Sequence, residues 1–274
     1  MSQPYTPTRA RDPRDLIWYA TRPRHLAGPG DPRHVTQALR AAGWKNHSAP
    51  DYPHVVLASA DHRHTPLLEP VPDTYAAWWR ISSQADGQHW HASFGGNTPV
   101  EILAAYTDAL IRPAPKSEPE VWPAVTRAGW TYERDEHGSE QALHPDGILS
   151  LRRQASHDPV SVHWRAEAAL PTGLGGQRRL WEAWFSENAP PHLIAAFATA
   201  LASNEPVQRA MSGVPHPHLV TQEISGPQGE QLVAAHEERL TATRAAARRA
   251  RRAASPRAQP GAGPAAAARA SRSR

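Results

Sequence analysis

The sequence predicts an α+β protein made of two diverged tandem copies of one unit, each a helix, about four antiparallel strands and a second helix. Three observations carry this expectation: an internal repeat, strand-like alternation broken by turn residues, and helix start and stop signals at matching places in both halves. In the clearest part of the repeat, HWHASFGGNTPVEILAAYTDAL (89–110) aligns with LWEAWFSENAPPHLIAAFATAL (180–201), with nine of 22 positions identical. Trp90 matches Trp181, Phe94 matches Phe185, Asn97 matches Asn188, Pro99 matches Pro190, and Tyr106 aligns conservatively with Phe197. Upstream, ALRAAGW (38–44) matches AVTRAGW (124–130), Trp79-Arg80 corresponds to Trp164-Arg165, and Asp61 to Asp146. Matched segments in one order and at similar spacing mark a duplication.

Residues 31–42 carry helical spacing (Val35, Leu39, Ala42), with Asp31 as N-cap, Pro32 at the first position and Gly43 as the stop. Strand-like stretches follow at 54–59, 65–71, 76–83 and 89–94, separated by Ala60-Asp61, Pro72-Asp73 and Asp86-Gly87. In the last of these, Trp90, Ala92 and Phe94 share one face, and His89, His91 and Ser93 the other. Asn97 or Thr98 then caps a helix with Pro99 at its first position and Ile102, Leu103, Tyr106 and Leu110 on its apolar side. The second unit repeats this plan over 121–201, and residues 16–21 (LIWYAT) read as an extra strand ahead of the first. These signals divide the chain into a first repeat domain (16–113), a second (120–203), a linker (204–228), a basic helix (229–254) and a disordered tail (255–274). The copies are expected to form a pseudo-two-fold pair, with helices on one face of each sheet and the other face either free or packed on the second copy. Two sheets with apolar second faces tend to pair, so face-to-face packing is the favoured arrangement.

Composition bounds the partners. With no cysteine, disulfides, zinc–cysteine sites and thiol catalysis are excluded. No run approaches the roughly 18 apolar residues of a membrane span, and the N-terminus lacks the apolar core of a signal peptide. The expectation is a soluble, cytoplasmic protein with no membrane partner. Its formal net charge is +4, yet nine arginines and no acid fall from Arg244 to Arg274. Setting those nine aside leaves the first 243 residues at −5. A mildly acidic body with a strongly basic tail is the footprint of a tail that meets nucleic acid or another polyanion. Against this, two lysines beside 28 arginines are also what a GC-rich genome produces.

The stretches PRHLAGPGDPRHVTQALRAAGW (23–44) and WHASFGGNTPVEILAAYTDAL (90–110) resemble the actinobacterial "domain of unknown function 317" family, labelled SPDY-type after a Ser-Pro-Asp-Tyr signature. The resemblance covers about residues 16–203 and implies two tandem copies of that domain. The signature is not intact: Ser59-Ala60-Asp61-His62 stands in the first copy and His144-Pro145-Asp146-Gly147 in the second. The family carries no assigned catalytic residues, so the resemblance implies a fold and no activity.

No catalytic residue, metal site or cofactor is expected. His62 with His64 and His89 with His91 have the i, i+2 spacing that could share a metal, but neither pair has an evident third ligand, and surface histidines are the simpler account. Asp61 and Asp146 read as turn residues whose side chains bond the nearby backbone. The glycines of Gly173-Leu174-Gly175-Gly176 and Gly95-Gly96 lack the phosphate-binding fingerprint. Trp78, Arg80 and Trp184 alternate opposite the core-facing positions. An aromatic beside an arginine on an open sheet is what single-stranded nucleic acid stacks against, whereas sheet–sheet packing would bury them. In the C-terminal helix, Arg244, Arg248 and Arg252 recur every four residues, with Arg249 and Arg251 beside them. The expectation is a non-enzymatic binding protein attached through this arginine-rich segment to nucleic acid or an acidic partner. The alternative is a protein–protein adaptor with an incidental basic tail.

Overall fold

The computed structural model of the protein describes residues 12–85, 87–155, 163–173 and 175–254. The expected tail at 255–274, Asp86 and Leu174 lie outside the described residues.

A strand β1 (Trp18–Arg22) precedes the first copy, which consists of α1 (Arg33–Ala41), β2 (Lys45–Asn46), β3 (Val55–Ala58), β4 (His64–Leu68), β5 (Ala77–Ala85), β6 (Gln88–Gly95) and α2 (Val100–Ile111). The second copy repeats the order with α3 (Trp122–Arg127), β7 (Thr131–Arg134), β8 (Glu140–Leu143), β9 (Leu149–Gln154), β10 (His163–Pro171), β11 (Gln177–Phe185) and α4 (Pro191–Leu201). After it come β12 (Val207–Ala210), β13 (Thr221–Glu223) and the long α5 (Gly229–Ala254). The fold is α+β with two copies, as expected. Each copy supplies five strands rather than four, because a short strand follows each of Trp44 and Trp130 at the outer edge. Residues 204–228, expected as linker, hold β12 and β13, which flank β1 in a separate three-stranded antiparallel sheet.

The ten strands form one antiparallel sheet in the order β2-β3-β4-β5-β6-β11-β10-β9-β8-β7. The favoured face-to-face packing of the copies is therefore overturned: they join edge to edge. β6 and β11 close their own copies and would each leave a row of unpaired backbone groups, which pairing removes. In that pair Phe94 lies opposite Ala183, Ser93 opposite Trp184 and Ala92 opposite Phe185. Ser93 and Trp184 are equivalent repeat positions, so a local two-fold axis passes between them.

The helices obey the same axis, packing in the order α1-α2-α4-α3. Buried alternate residues (Ile81, Trp90, Phe94, Leu151, Ala166, Trp181, Phe185) meet them in one continuous core. Phe94, Tyr106, Phe185 and Phe197, two from each copy, interlock at the centre with ring centroids 5.1–5.7 Å apart. Each such aromatic pair adds about 0.5–1.5 kcal/mol beyond its buried area. Asn97 does not cap α2: Pro99 takes that position, and the Asn97 amide donates instead to Thr74 Oγ1 (3.2 Å) and to the Leu180 carbonyl (3.3 Å) of the other copy.

Two polar joints fix the outer elements. Arg209 of β12, only 3 % exposed, makes a two-pronged pair with Glu101 of α2 (2.6 and 2.7 Å) and also donates to the carbonyls of Ala27 and Gly28. α5 packs on α1 with Leu240 buried. Its Arg239 grips Asp108 of α2 (2.7 and 2.9 Å) and the His34 carbonyl (2.7 Å).

Candidate functional site

The sheet face away from the helices gathers part of the expected constellation. Leu67, Arg80, Ser93, Trp184, Arg165 and Arg152 form one cross-strand row, each the register partner of the next. Arg80 and Arg165 thus lie at equivalent distances on either side of the two-fold axis. Their charges are already matched: Arg80 pairs with Glu69 (2.7 Å), and Arg165 with Glu167 (3.1 Å) and Glu182 (2.5 Å), which also holds Arg179. Trp184 stacks between His91 and His163, with ring centroids 4.6 and 5.9 Å away. Trp78 does not join this row. It falls at a register shift in β5, lies against Gly96, where an added Cβ would come within 2.6 Å of the indole, and donates its Nε1–H to the Asp73 carbonyl.

The arginines of α5 differ. Arg244, Arg248, Arg249, Arg251 and Arg252 are all exposed, and within the described residues no carboxylate forms an ion pair with Arg244, Arg248, Arg249 or Arg252. Arg251 lies close to Gly43, beyond the end of α1. The docked half of the helix spends its charge on the body through Arg239, while the following turns present unneutralised guanidinium groups.

A third cluster was not anticipated. His25, in the 3-10 turn Arg24–Leu26, meets His144 and Asp146 from the turn between β8 and β9. His25 Nε2 is 2.8 Å from Asp146 Oδ2, and His144 Nδ1 is 2.8 Å from Asp146 Oδ1. Burial raises the Asp146 carboxyl, but hydrogen bonds from His144, His25 and the Ile148 N–H outweigh it and hold it well below the usual carboxylate range. Burial keeps the His25 imidazole below its ordinary value despite that carboxylate. His25 and His144 border a cavity of about 670 Å³, together with Arg24, Ser203, Asn204 and His218. Asp146 keeps its expected turn role, accepting the Ile148 N–H at 2.9 Å, and gains a second one. In the first copy Ser59 stands where His144 stands in the second, and its hydroxyl donates to Asp61 at 2.5 Å.

A family model described as a domain of unknown function, DUF317 (SPDY), matches residues 57–116 and, separately, 144–207. Two tandem segments of the chain thus match the DUF317 domain. No curated protein and no solved structure gives a match to the chain. The second DUF317 match opens on His144, so the His144–Asp146 turn is its first feature, whereas His25 lies ahead of both DUF317 segments. α5 likewise lies beyond them. The sheet row, by contrast, is built from the strands of both DUF317 copies. The signal that could have flagged the cluster is the replacement of serine by histidine at the first position of the second copy's signature tetrapeptide. His25, 121 residues ahead of its partner Asp146, carried none.

No helix among the described residues is long and apolar enough to cross a membrane.

Proposed function

We propose that this protein is a cytoplasmic, non-enzymatic binding protein that uses its two DUF317 copies as one rigid scaffold and attaches to nucleic acid or another polyanion through the arginine-rich end of α5. The observation that carries this reading is the contrast in pairing. Arg80, Arg165, Arg209 and Arg239 are matched by carboxylates of the body, while Arg244, Arg248, Arg249 and Arg252 are exposed with no acid among the described residues paired to them. Unmatched guanidinium groups on successive turns suit a phosphate backbone, and binding of that kind depends on salt and little on sequence. The reading draws further support from the nine arginines and absence of acids over residues 244–274. The quadruple substitution R244A/R248A/R249A/R252A tests it. Affinity for a DNA or RNA duplex should fall, and the slope of log K against log salt should shrink by roughly three to four units. An unchanged slope contradicts it.

A second reading, a protein–protein adaptor, draws on the ten-stranded sheet, whose open face presents the His91–Trp184–His163 stack. A pull-down with protein ending at Thr243 tests it: recovery of one partner, lost on Trp184→Ala, supports it, and recovery of none counts against it.

A further inference from the structure

Three side chains with metal-ligand chemistry converge where nothing in the polyanion reading needs them. The donor atoms of His25, His144 and Asp146 all lie within 4.8 Å of one another. Two fixed segments bring them there. The His25 carbonyl accepts the Trp181 indole N–H (2.7 Å), which pins the 3-10 turn to the core of the second copy, and His25 is 2 % exposed. Asp146 is tied to its own turn through the Ile148 N–H.

The local hydrogen bonding leaves a position suited to a cation. His144 Nδ1 lies 2.8 Å from Asp146 Oδ1 and His25 Nε2 2.8 Å from Asp146 Oδ2, so both imidazoles already aim a ring nitrogen at the carboxylate. A metal ion bound there takes the place of the proton that an imidazole shares with the carboxylate. Bonds of about 2.0–2.1 Å to imidazole nitrogen and carboxylate oxygen place neighbouring ligand atoms roughly 3.3 Å apart in a tetrahedral site. The two imidazole–carboxylate pairs stand at 2.8 Å and the three donor atoms all lie within 4.8 Å of one another, so small side-chain shifts bring them to that spacing. A set of two imidazoles and one carboxylate suits a borderline first-row ion, and three protein ligands leave a coordination position open. That position is next to the 670 Å³ cavity, which His25 and His144 line with Ser203, Asn204 and His218.

We propose that His25, His144 and Asp146 form a binding site for a divalent first-row transition metal of the zinc type, with its open coordination position turned towards this cavity. The site joins the segment ahead of the first DUF317 copy to the opening turn of the second, so metal binding locks the two together.

The test uses the full chain stripped with a chelator and titrated with zinc chloride by calorimetry, with thermal unfolding followed with and without the metal. One equivalent should bind and raise the Tm. His144→Ser places in the second copy the serine that the first copy already uses at this turn, so the turn keeps a side-chain bond to its aspartate while one ligand is lost. This variant and His25→Gln should each weaken zinc at least about tenfold, the loss expected even for outer-shell changes, while H89A/H91A should not. Absence of a stoichiometric zinc site in the unaltered protein, or affinity unchanged in both ligand variants, overturns the proposal and leaves the cluster as a hydrogen-bonded clamp. Should a variant fail to fold, cobalt(II) in the unaltered protein gives an independent reading. Intense visible absorption bands of a low-coordinate ion support the site, and the spectrum of the hydrated ion contradicts it.

Discussion

Ser93 and Trp184 hold the same position in the two copies and lie directly opposite each other across the β6–β11 pair. Self-pairing of equivalent positions is what a two-fold relation between tandem copies requires. It also explains why a serine and a tryptophan divide the position: two large side chains on the axis would compete for one space on the sheet face. The tryptophan of the second copy instead covers the seam and takes its ring partners from His91 on one side and His163 on the other.

The aromatic centre on the other side of the sheet is expected to hold the copies together. Phe185→Ala removes a fully buried ring that touches Phe94, Tyr106 and Phe197. Chemical denaturation should show a loss of about 3–5 kcal/mol, as large-to-small changes in packed cores do. A loss below about 1 kcal/mol would mean that the seam contributes little.

Arg209 should be the most sensitive polar residue of the fold. Arg209→Ala leaves Glu101 and the carbonyls of Ala27 and Gly28 without their donor, and breaking a buried pair on one side costs about 3–5 kcal/mol. The double variant R209M/E101L, which removes both charges, should recover much of that loss. Urea midpoints of the three proteins check the ordering.

On the open sheet face the matched arginines should matter less. Arg80→Ala breaks a half-exposed pair with Glu69 and should change stability by about 0–1 kcal/mol, while leaving the salt dependence of polyanion binding unchanged. A binding loss comparable to that of the α5 substitutions would move the interface onto the sheet.

The seat of α5 should respond to acid through His34. Burial is the main cause that lowers this imidazole to about 4, helped by Arg239 and His236 of α5 and opposed by Glu101 and Asp108 of α2. The unfolded chain takes up this proton near pH 6.5 and the native chain only near pH 4. Stability is therefore complete above pH 6.5 and falls as pH drops from there to about 4, by on the order of 3 kcal/mol in total. Thermal unfolding from pH 7.5 to 4 should show this decline, and His34→Gln should flatten it.

Much of the fold was legible from local chemistry. The strand boundaries near Val55, His64, Ala77 and Gln88 follow from alternation and from turns built on Asp61, Asp73 and Gly87, because these preferences act over a few residues. The joining of the copies was not legible. Alternation along β6 says which residues share a face, but nothing local says whether the strand edge or the sheet face meets the other copy. β12 and β13 were missed because three- and four-residue strands rich in Gln, Arg and Thr look like linker. At the candidate sites, the helical spacing of Arg244, Arg248 and Arg252 and the common face of Arg80 and Trp184 were readable. The bulge that diverts Trp78, the carboxylates that neutralise Arg80 and Arg165, and the meeting of His25 with Asp146 depend on contacts the chain makes only when folded.

One comparison decides whether the end of α5 makes the contact with a polyanion. Nucleic-acid binding is titrated against salt for the full chain and for protein ending at Thr243, which keeps Arg239 and Leu240 in their seats on α1 and α2. The full chain should bind at low salt and lose affinity steeply as salt rises, and the shortened protein should show no measurable binding. Equal binding by both, or none by the full chain, would contradict that contact.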